Sequence, residues 1–174
     1  MKSQKRYSNS TFSKRVDHEA GRHRGPRAQS EPAKCSMCGA VYSDRRWTVA
    51  GTPKKKSGKH KHWHPQSITV CPACKQRQEG LAAGFVYVSG SFLPSHRQEI
   101  ERLLDNEAER AAFDNPLAQI MGRETDEKGR LVISTTTEHL AQRLGHALEK
   151  AFDGEVYYHF SHENKLTRVY WHRD

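Results

Sequence analysis

Two Cys-x-x-Cys pairs, Cys35-Ser-Met-Cys38 and Cys71-Pro-Ala-Cys74, contain every cysteine of this chain. Two thiolates at that spacing reach one metal ion from a single tight turn. Two such pairs complete a tetrahedral shell with sulfur at about 2.3 Å from the metal. Gly39, directly after the first pair, accepts the positive φ that a chain reversing around a metal uses, and Pro72 stands inside the second pair. Disulfides or a redox dithiol are the competing chemistry. Nothing marks the chain for export, and a thioredoxin-like site needs one pair on a βα turn, not two matched pairs. The spacing therefore predicts one structural Zn²⁺ held by Cys35, Cys38, Cys71 and Cys74. Four protein ligands close the shell, so this zinc holds structure and does not activate water.

Charge divides the 174 residues unevenly. Residues 1–78 carry eighteen Lys/Arg against four Asp/Glu, and residues 79–174 carry eleven against sixteen. The formal net charge of +9 is thus the difference between a strongly basic half and a mildly acidic one. A basic end of this kind suits a polyanion; the bland alternative is a segment that merely stays solvated. Only 34% of the residues are hydrophobic, which allows one ordinary domain, or a small metal module beside a small α/β domain. Residues 1–30 lack an apolar h-region, and no run approaches transmembrane length. With reduced, metal-ligating cysteines, these features predict a cytoplasmic protein with no membrane partner.

The expected fold class is α+β: a disordered basic arm over 1–32, a four-cysteine zinc-ribbon module over 33–80 and a small α/β domain over 81–174. The arm, with Lys5, Arg6, Lys14 and Arg15 among its cations, has too few apolar side chains to offset the entropy of ordering. Its Tyr7, Phe12 and His23 are available to stack on bases. In the module, 34–42 holds the form Cys-x-x-Cys-Gly-x-x-Tyr, and 69–75 reads as a strand entering Cys-Pro-x-Cys. Between them a strand around 45–49 leads into a protruding loop that ends near His64. From Arg45 to His64 the cations are Arg45, Arg46, Lys54, Lys55, Lys56, Lys59 and Lys61, with no acidic residue. Such a loop contacts phosphate without reading base sequence. His60, His62 and His64 alternate and would share one face of an extended segment. Imidazoles ligate metals, but the neighbouring lysines repel a cation, and a solvated basic loop is the favoured reading. Trp47 and Trp63 suit a module core and base stacking equally.

The second half has the patterns of packed secondary structure. Residues 84–89 are β-branched and aromatic, as a strand requires. Ser95-His-Arg-Gln98 offers a capping box, followed by Ile100, Leu103, Leu104, Ala108, Ala111 and Ala112 at helical spacing. Asn115-Pro116 fits the start of a short helix through Met121, and 125–129 is a polar turn. Residues 130–135 read as a strand. Thr137 caps a helix whose apolar stripe is Leu140, Leu144, Ala147, Leu148, Ala151 and Phe152, ended by Asp153-Gly154. Two aromatic strands, 155–161 and 165–172, close the chain as a hairpin, so the domain ends in a β-α-β-β unit.

No phosphate-binding Gly-rich loop and no zinc-deaminase signature occurs. The adjacent pairs Glu138/His139 and His162/Glu163 are read as surface residues, the first because neighbours on a helix point apart and the second because it sits in a turn. The chain is therefore expected not to be an enzyme, and no small-molecule substrate is evident.

The knuckle at 35–42, Val70-Cys-Pro-Ala-Cys74 and the closing segment 136–171 resemble an uncharacterised bacterial zinc-ribbon family. That family is distantly similar to the zinc-binding N-terminal region of the archaeal and eukaryotic large-ribosomal-subunit export adaptors of the nonsense-mediated-decay type. Those adaptors carry more Cys-x-x-Cys pairs than this chain. The resemblance implies binding to the ribosome or ribosomal RNA, with ribosomal proteins as further partners. The leading expectation is a non-catalytic zinc-ribbon RNA-binding protein. The alternatives are a DNA-associated zinc-ribbon transcription accessory factor, which presents the same electrostatics, and a protein–protein adaptor working through the acidic half.

Overall fold

A computed structural model describes residues 32–43, 45–50, 67–161 and 166–174. It is an α+β structure with two mixed sheets, the class expected from the sequence. The first sheet is small. Strands β1 (Ala33–Cys35), β2 (Val41–Ser43), β3 (Arg46–Thr48) and β4 (Ser67–Thr69) lie in the order β3-β2-β1-β4. The first Cys pair runs from the end of β1 into the β1–β2 turn, where Gly39 takes φ 75°. Pro72 ends the extended run after β4. Its ring suits the first turn of a helix, where no backbone N–H is needed, and α1 (Pro72–Glu79) begins there. The strand read as entering Cys-Pro-x-Cys is β4, which ends at Thr69, and the second pair itself opens a helix.

The second sheet holds five strands in the order β6-β7-β5-β9-β8. These are β5 (Gly84–Ser89), β6 (Ile120–Thr125), β7 (Leu131–Thr135), β8 (Glu155–Ser161) and β9 (Leu166–His172). Only β5 and β9 pair in parallel; the other pairs are antiparallel. Helices α2 (Phe92–Asp114) and α3 (Glu138–Phe152) supply the core with Ile100, Leu104, Leu140, Leu144 and Leu148, packed on Val86, Val88, Leu131, Ile133, Val169 and Trp171. The Thr137 hydroxyl accepts from the Leu140 N–H, the cap read from the sequence. Together β7, α3, β8 and β9 make the terminal β-α-β-β unit.

Two local expectations differ from the structure. Helix α2 starts at Phe92, before the Ser95 capping box, and is broken at His96 (φ −118°, ψ 15°). There the imidazole stacks on the Phe92 ring at 3.7 Å. The helix read over 115–121 is a turn followed by β6. Asn115 does cap locally, accepting from the Leu117 N–H. Buried Thr136 then captures the segment: its hydroxyl donates to the Leu117 carbonyl, and backbone and side-chain bonds tie it to Gln119. These long-range bonds supply partners that helical bonds would otherwise have made.

Candidate metal centre

The Sγ atoms of Cys35, Cys38, Cys71 and Cys74 all lie within 4.8 Å of one another. Four sulfurs bound tetrahedrally at about 2.3 Å stand about 3.8 Å apart, and the Cys38–Cys71 separation is 3.6 Å. All four thiols are free. The cluster has the donor number and the spacing of a single closed metal site.

Each half of the cluster contributes a device that stabilises negative sulfur. In the first knuckle, the Cys71 N–H donates to Cys35 Sγ at 3.3 Å. Burial pushes the Cys35 thiol up, but backbone N–H groups of Cys38, Cys71 and Met37 outweigh it and bring it down to about 6. In the second knuckle, Cys71 is the N-cap of α1 and accepts from the Cys74 N–H at 3.5 Å. Both sulfurs thus face the positive end of the helix dipole. Burial nevertheless dominates there, pushing Cys71 well above the ordinary thiol range and Cys74 to about 11. Four thiolates cannot share so small a volume without a cation, and a divalent metal supplies that charge.

The surroundings fix the cluster against the rest of the molecule. Ala40 and Ala73 fill the space beside the sulfurs, and Trp47 and Leu117 pack on the outside. Trp47 pairs across the sheet with Tyr42, their ring centroids 5.3 Å apart. Of the two roles open to this tryptophan, the structure gives it the packing around the metal site. Leu117 comes from the turn before β6, so the long-range capture of that turn also presses an apolar side chain onto the metal site. The Arg77 guanidinium adds a hydrogen bond to the Gln119 side chain at 3.5 Å.

Of the cations expected to meet phosphate, Arg45 and Arg46 are described and exposed, in the β2–β3 turn and at the start of β3. Arg45 holds φ 59°. Lys5, Arg6, Lys14, Arg15, Lys54, Lys55, Lys56, Lys59 and Lys61 lie outside the described residues, as do Tyr7, Phe12, His23, Trp63, the three alternating histidines and the His162/Glu163 pair. The two ends of the basic segment leave from opposite edges of the small sheet, β3 and β4.

One constellation escapes a sequence reading. The Ser89 hydroxyl and His172 Nδ1 are 3.2 Å apart, and His172 Nε2 and Asp174 Oδ2 are also 3.2 Å apart. These groups lie at the ends of β5 and β9, more than eighty positions apart in sequence. The Ser89 hydroxyl also lies 3.2 Å from the Trp171 carbonyl, and the Ser91 N–H donates to Asp174. The network ties the last residues to the end of β5. Both His172 and Asp174 are exposed.

No family model, curated protein or solved structure matches the chain. Among the described residues, no helix is long and apolar enough to cross a membrane.

Proposed function

We propose that this chain is a non-catalytic zinc-ribbon protein that binds RNA, with the ribosome as its target. The observation that carries the reading is the four-sulfur cluster, whose two Cys-x-x-Cys pairs flank in sequence residues 51–66, which contain five lysines and no acidic residue. A Zn²⁺ held by Cys35, Cys38, Cys71 and Cys74 anchors both ends of that segment, and the lysines, with Arg45, Arg46 and the basic arm, meet phosphate. The metal is assigned as zinc because an all-thiolate tetrahedral shell favours it and leaves no open position for chemistry. The resemblance at the knuckles makes the ribosome the first RNA to test, and the same features favour a cytoplasmic setting.

The test is co-sedimentation of the zinc-loaded protein with separated subunits and assembled ribosomes at two salt concentrations, with duplex DNA as competitor. Saturable migration with one particle, resistant to DNA, is the expected result. Loss of the protein to DNA assigns it to general polyanion binding and overturns the ribosome reading. Replacing Lys54, Lys55 and Lys56 by Gln should weaken binding to every RNA sequence alike. It should also reduce the slope of log K against log[salt] by about 2 to 3. An unchanged slope removes this segment from the interface.

A further inference from the structure

Helices α2 and α3 cover one face of the five-stranded sheet. Because Val86, Val88, Leu131, Ile133, Val169 and Trp171 enter that core, the intervening Phe85, Tyr87, Val132, Ser134, Arg168 and Tyr170 project from the other face. The strand registers place Tyr87 opposite Tyr170, and Tyr170 opposite Tyr157. Three tyrosines therefore form one row across three adjacent strands. The Tyr87 and Tyr170 rings are stacked, with centroids 4.8 Å apart and planes at 11°. Phe85 lies beside them, 6.3 Å from Tyr87, and its own row continues to Arg168 and His159. The Arg130 guanidinium stands over Tyr87 at 4.9 Å.

Among the described residues neither α2 nor α3 lies on this side, and a sheet face left without such a cover is ordinarily polar. Cross-strand pairing stabilises a sheet and accounts for one stacked Tyr pair. It does not account for Tyr157, which is 59% exposed, or for cations placed among the rings. The carboxylates on this side are engaged or peripheral. Asp126 pairs with Arg130, Glu155 accepts from the Tyr157 hydroxyl, and Glu124 sits on edge strand β6. Arg168, in the middle of the face, makes no ion pair among the described residues. At the end where β5 begins, Arg77 and Gly80 wall a groove of about 290 Å³ over Phe85, Val132 and Ser134. The groove joins the aromatic face to helix α1 of the metal module.

We infer that this face binds unpaired bases of single-stranded RNA, stacking them on Tyr87, Tyr170 and Phe85 while Arg168 meets the backbone. Flat aromatic rings on a sheet bind bases of any identity, since every base has a π face. The inference rests on the RNA reading above and adds to it a second surface with a different preference. The basic segment holds phosphate in any form, and the sheet takes only what is unpaired.

The test measures fluorescence anisotropy of a labelled oligouridylate and of a labelled RNA duplex with the full chain and three variants. Tyr87→Leu/Tyr170→Leu removes the rings, Tyr87→Phe/Tyr170→Phe keeps them without hydroxyls, and Arg168→Gln removes the cation. The Leu pair should weaken oligouridylate binding about tenfold to hundredfold, and the Phe pair should bind as the parent does. Duplex binding should stay within about twofold in all of them, because phosphate contacts on the basic segments carry it. Equal losses on both RNAs, or no loss on the single strand, overturn the inference and leave the RNA reading standing. A parent chain that binds neither RNA overturns both. If the Leu pair instead turns a dimer into monomers by light scattering, the face joins two copies and the inference fails. Should the Leu pair not fold by circular dichroism, Arg168→Gln decides: an unchanged single-strand affinity overturns the inference.

Discussion

Cys71 is buried, caps α1, accepts the Cys74 N–H and donates its own N–H to Cys35. Replacing it by Ser keeps a side chain that can cap but removes a metal ligand and a bridge between the knuckles. Cys71→Ser should lose its metal equivalent on dialysis, measured by elemental analysis, and should lose the Co²⁺–thiolate absorption of the substituted protein. Retention of stoichiometric metal would show that the cluster is not a four-sulfur site. Gly145 illustrates a different residue-scale demand. It lies where α3 crosses β9, and a Cβ there would stand 2.5 Å from Val169 Cγ1 and 3.2 Å from the Tyr158 hydroxyl. Ala gains about 1 kcal/mol of helix propensity over Gly, but overpacking a filled core costs about 1–3 kcal/mol. Gly145→Ala should therefore lower stability in urea by up to about 2 kcal/mol, and a stabilised variant would show that α3 can lift off the sheet. The gathering of the four cysteines was legible in the sequence because each knuckle places its two sulfurs by local spacing alone. The role of Gly145 was not, since it depends on a strand more than twenty positions away.

At the scale of elements, α2 and α3 are joined on their outer sides by Glu107. Its carboxylate receives the Arg143 guanidinium at 3.0 Å across the helix pair, and Arg110 binds it from the next turn of α2. The Glu107 side chain is only 15% exposed. Burial opposes its ionisation, and hydrogen bonds and charge from Arg143 and Arg110 outweigh burial, so its pKa is lowered from the ordinary 4.5. A carboxylate lowered in the folded state stabilises fully above its unfolded value and loses that contribution as pH falls through the folded value. Glu107→Gln should cost about 1–2 kcal/mol near neutral pH, and the difference from the parent should narrow between about pH 4.5 and the more acidic folded value. Urea denaturation of both proteins across that window measures it; a gap independent of pH would assign the loss to packing. Most elements of this half, including β5, β7, α3, β8 and β9, follow from strand and helix periodicity. Strand β6 does not. Asn115-Pro116 is a true local turn signal, but Thr136, far along the chain, decides the conformation of the residues after it. The aromatic row over Tyr87, Tyr170 and Tyr157 was hidden for the same reason, because register between β5 and β9 joins residues more than eighty positions apart.

At the scale of the whole molecule, the structure has two separate apolar clusters. One is the helix-on-sheet core; the other is the cysteine cluster with Ala40 and Ala73, roofed by Trp47 and Leu117. The smaller holds few apolar side chains, so under the zinc reading its order would depend on the bound ion, whose apparent binding energy in small zinc modules is about 10–16 kcal/mol and doubles as folding energy. The larger contains complete layers and no cysteine. Metal removal should therefore unfold the small sheet and α1 while the five-stranded sheet stays folded. The tryptophans report the two events separately, since Trp47 packs on the metal site and Trp171 is fully buried in the larger core, its indole N–H donating to the Asp153 carbonyl at 2.8 Å. In a Trp47→Phe/Trp63→Phe variant only Trp171 remains, and its emission should stay that of a buried indole after chelation. In the parent the same treatment should shift the emission to longer wavelength. Thermal melting of the stripped variant should retain one cooperative transition, because the helices and the sheet share a single core. Among the described residues, Leu117 and the Arg77–Gln119 hydrogen bond link the two parts, so the expected penalty is a modest drop in that transition and not its loss. If Trp171 becomes solvated when the metal leaves, the module is a necessary part of the larger core. The aromatic sheet face would then exist only in the metal-bound protein, and chelation would abolish single-strand and duplex binding together. If the larger core survives, chelation should leave the stacking surface standing and remove the anchor of the basic segment. Duplex binding would then fall further than binding to the oligouridylate.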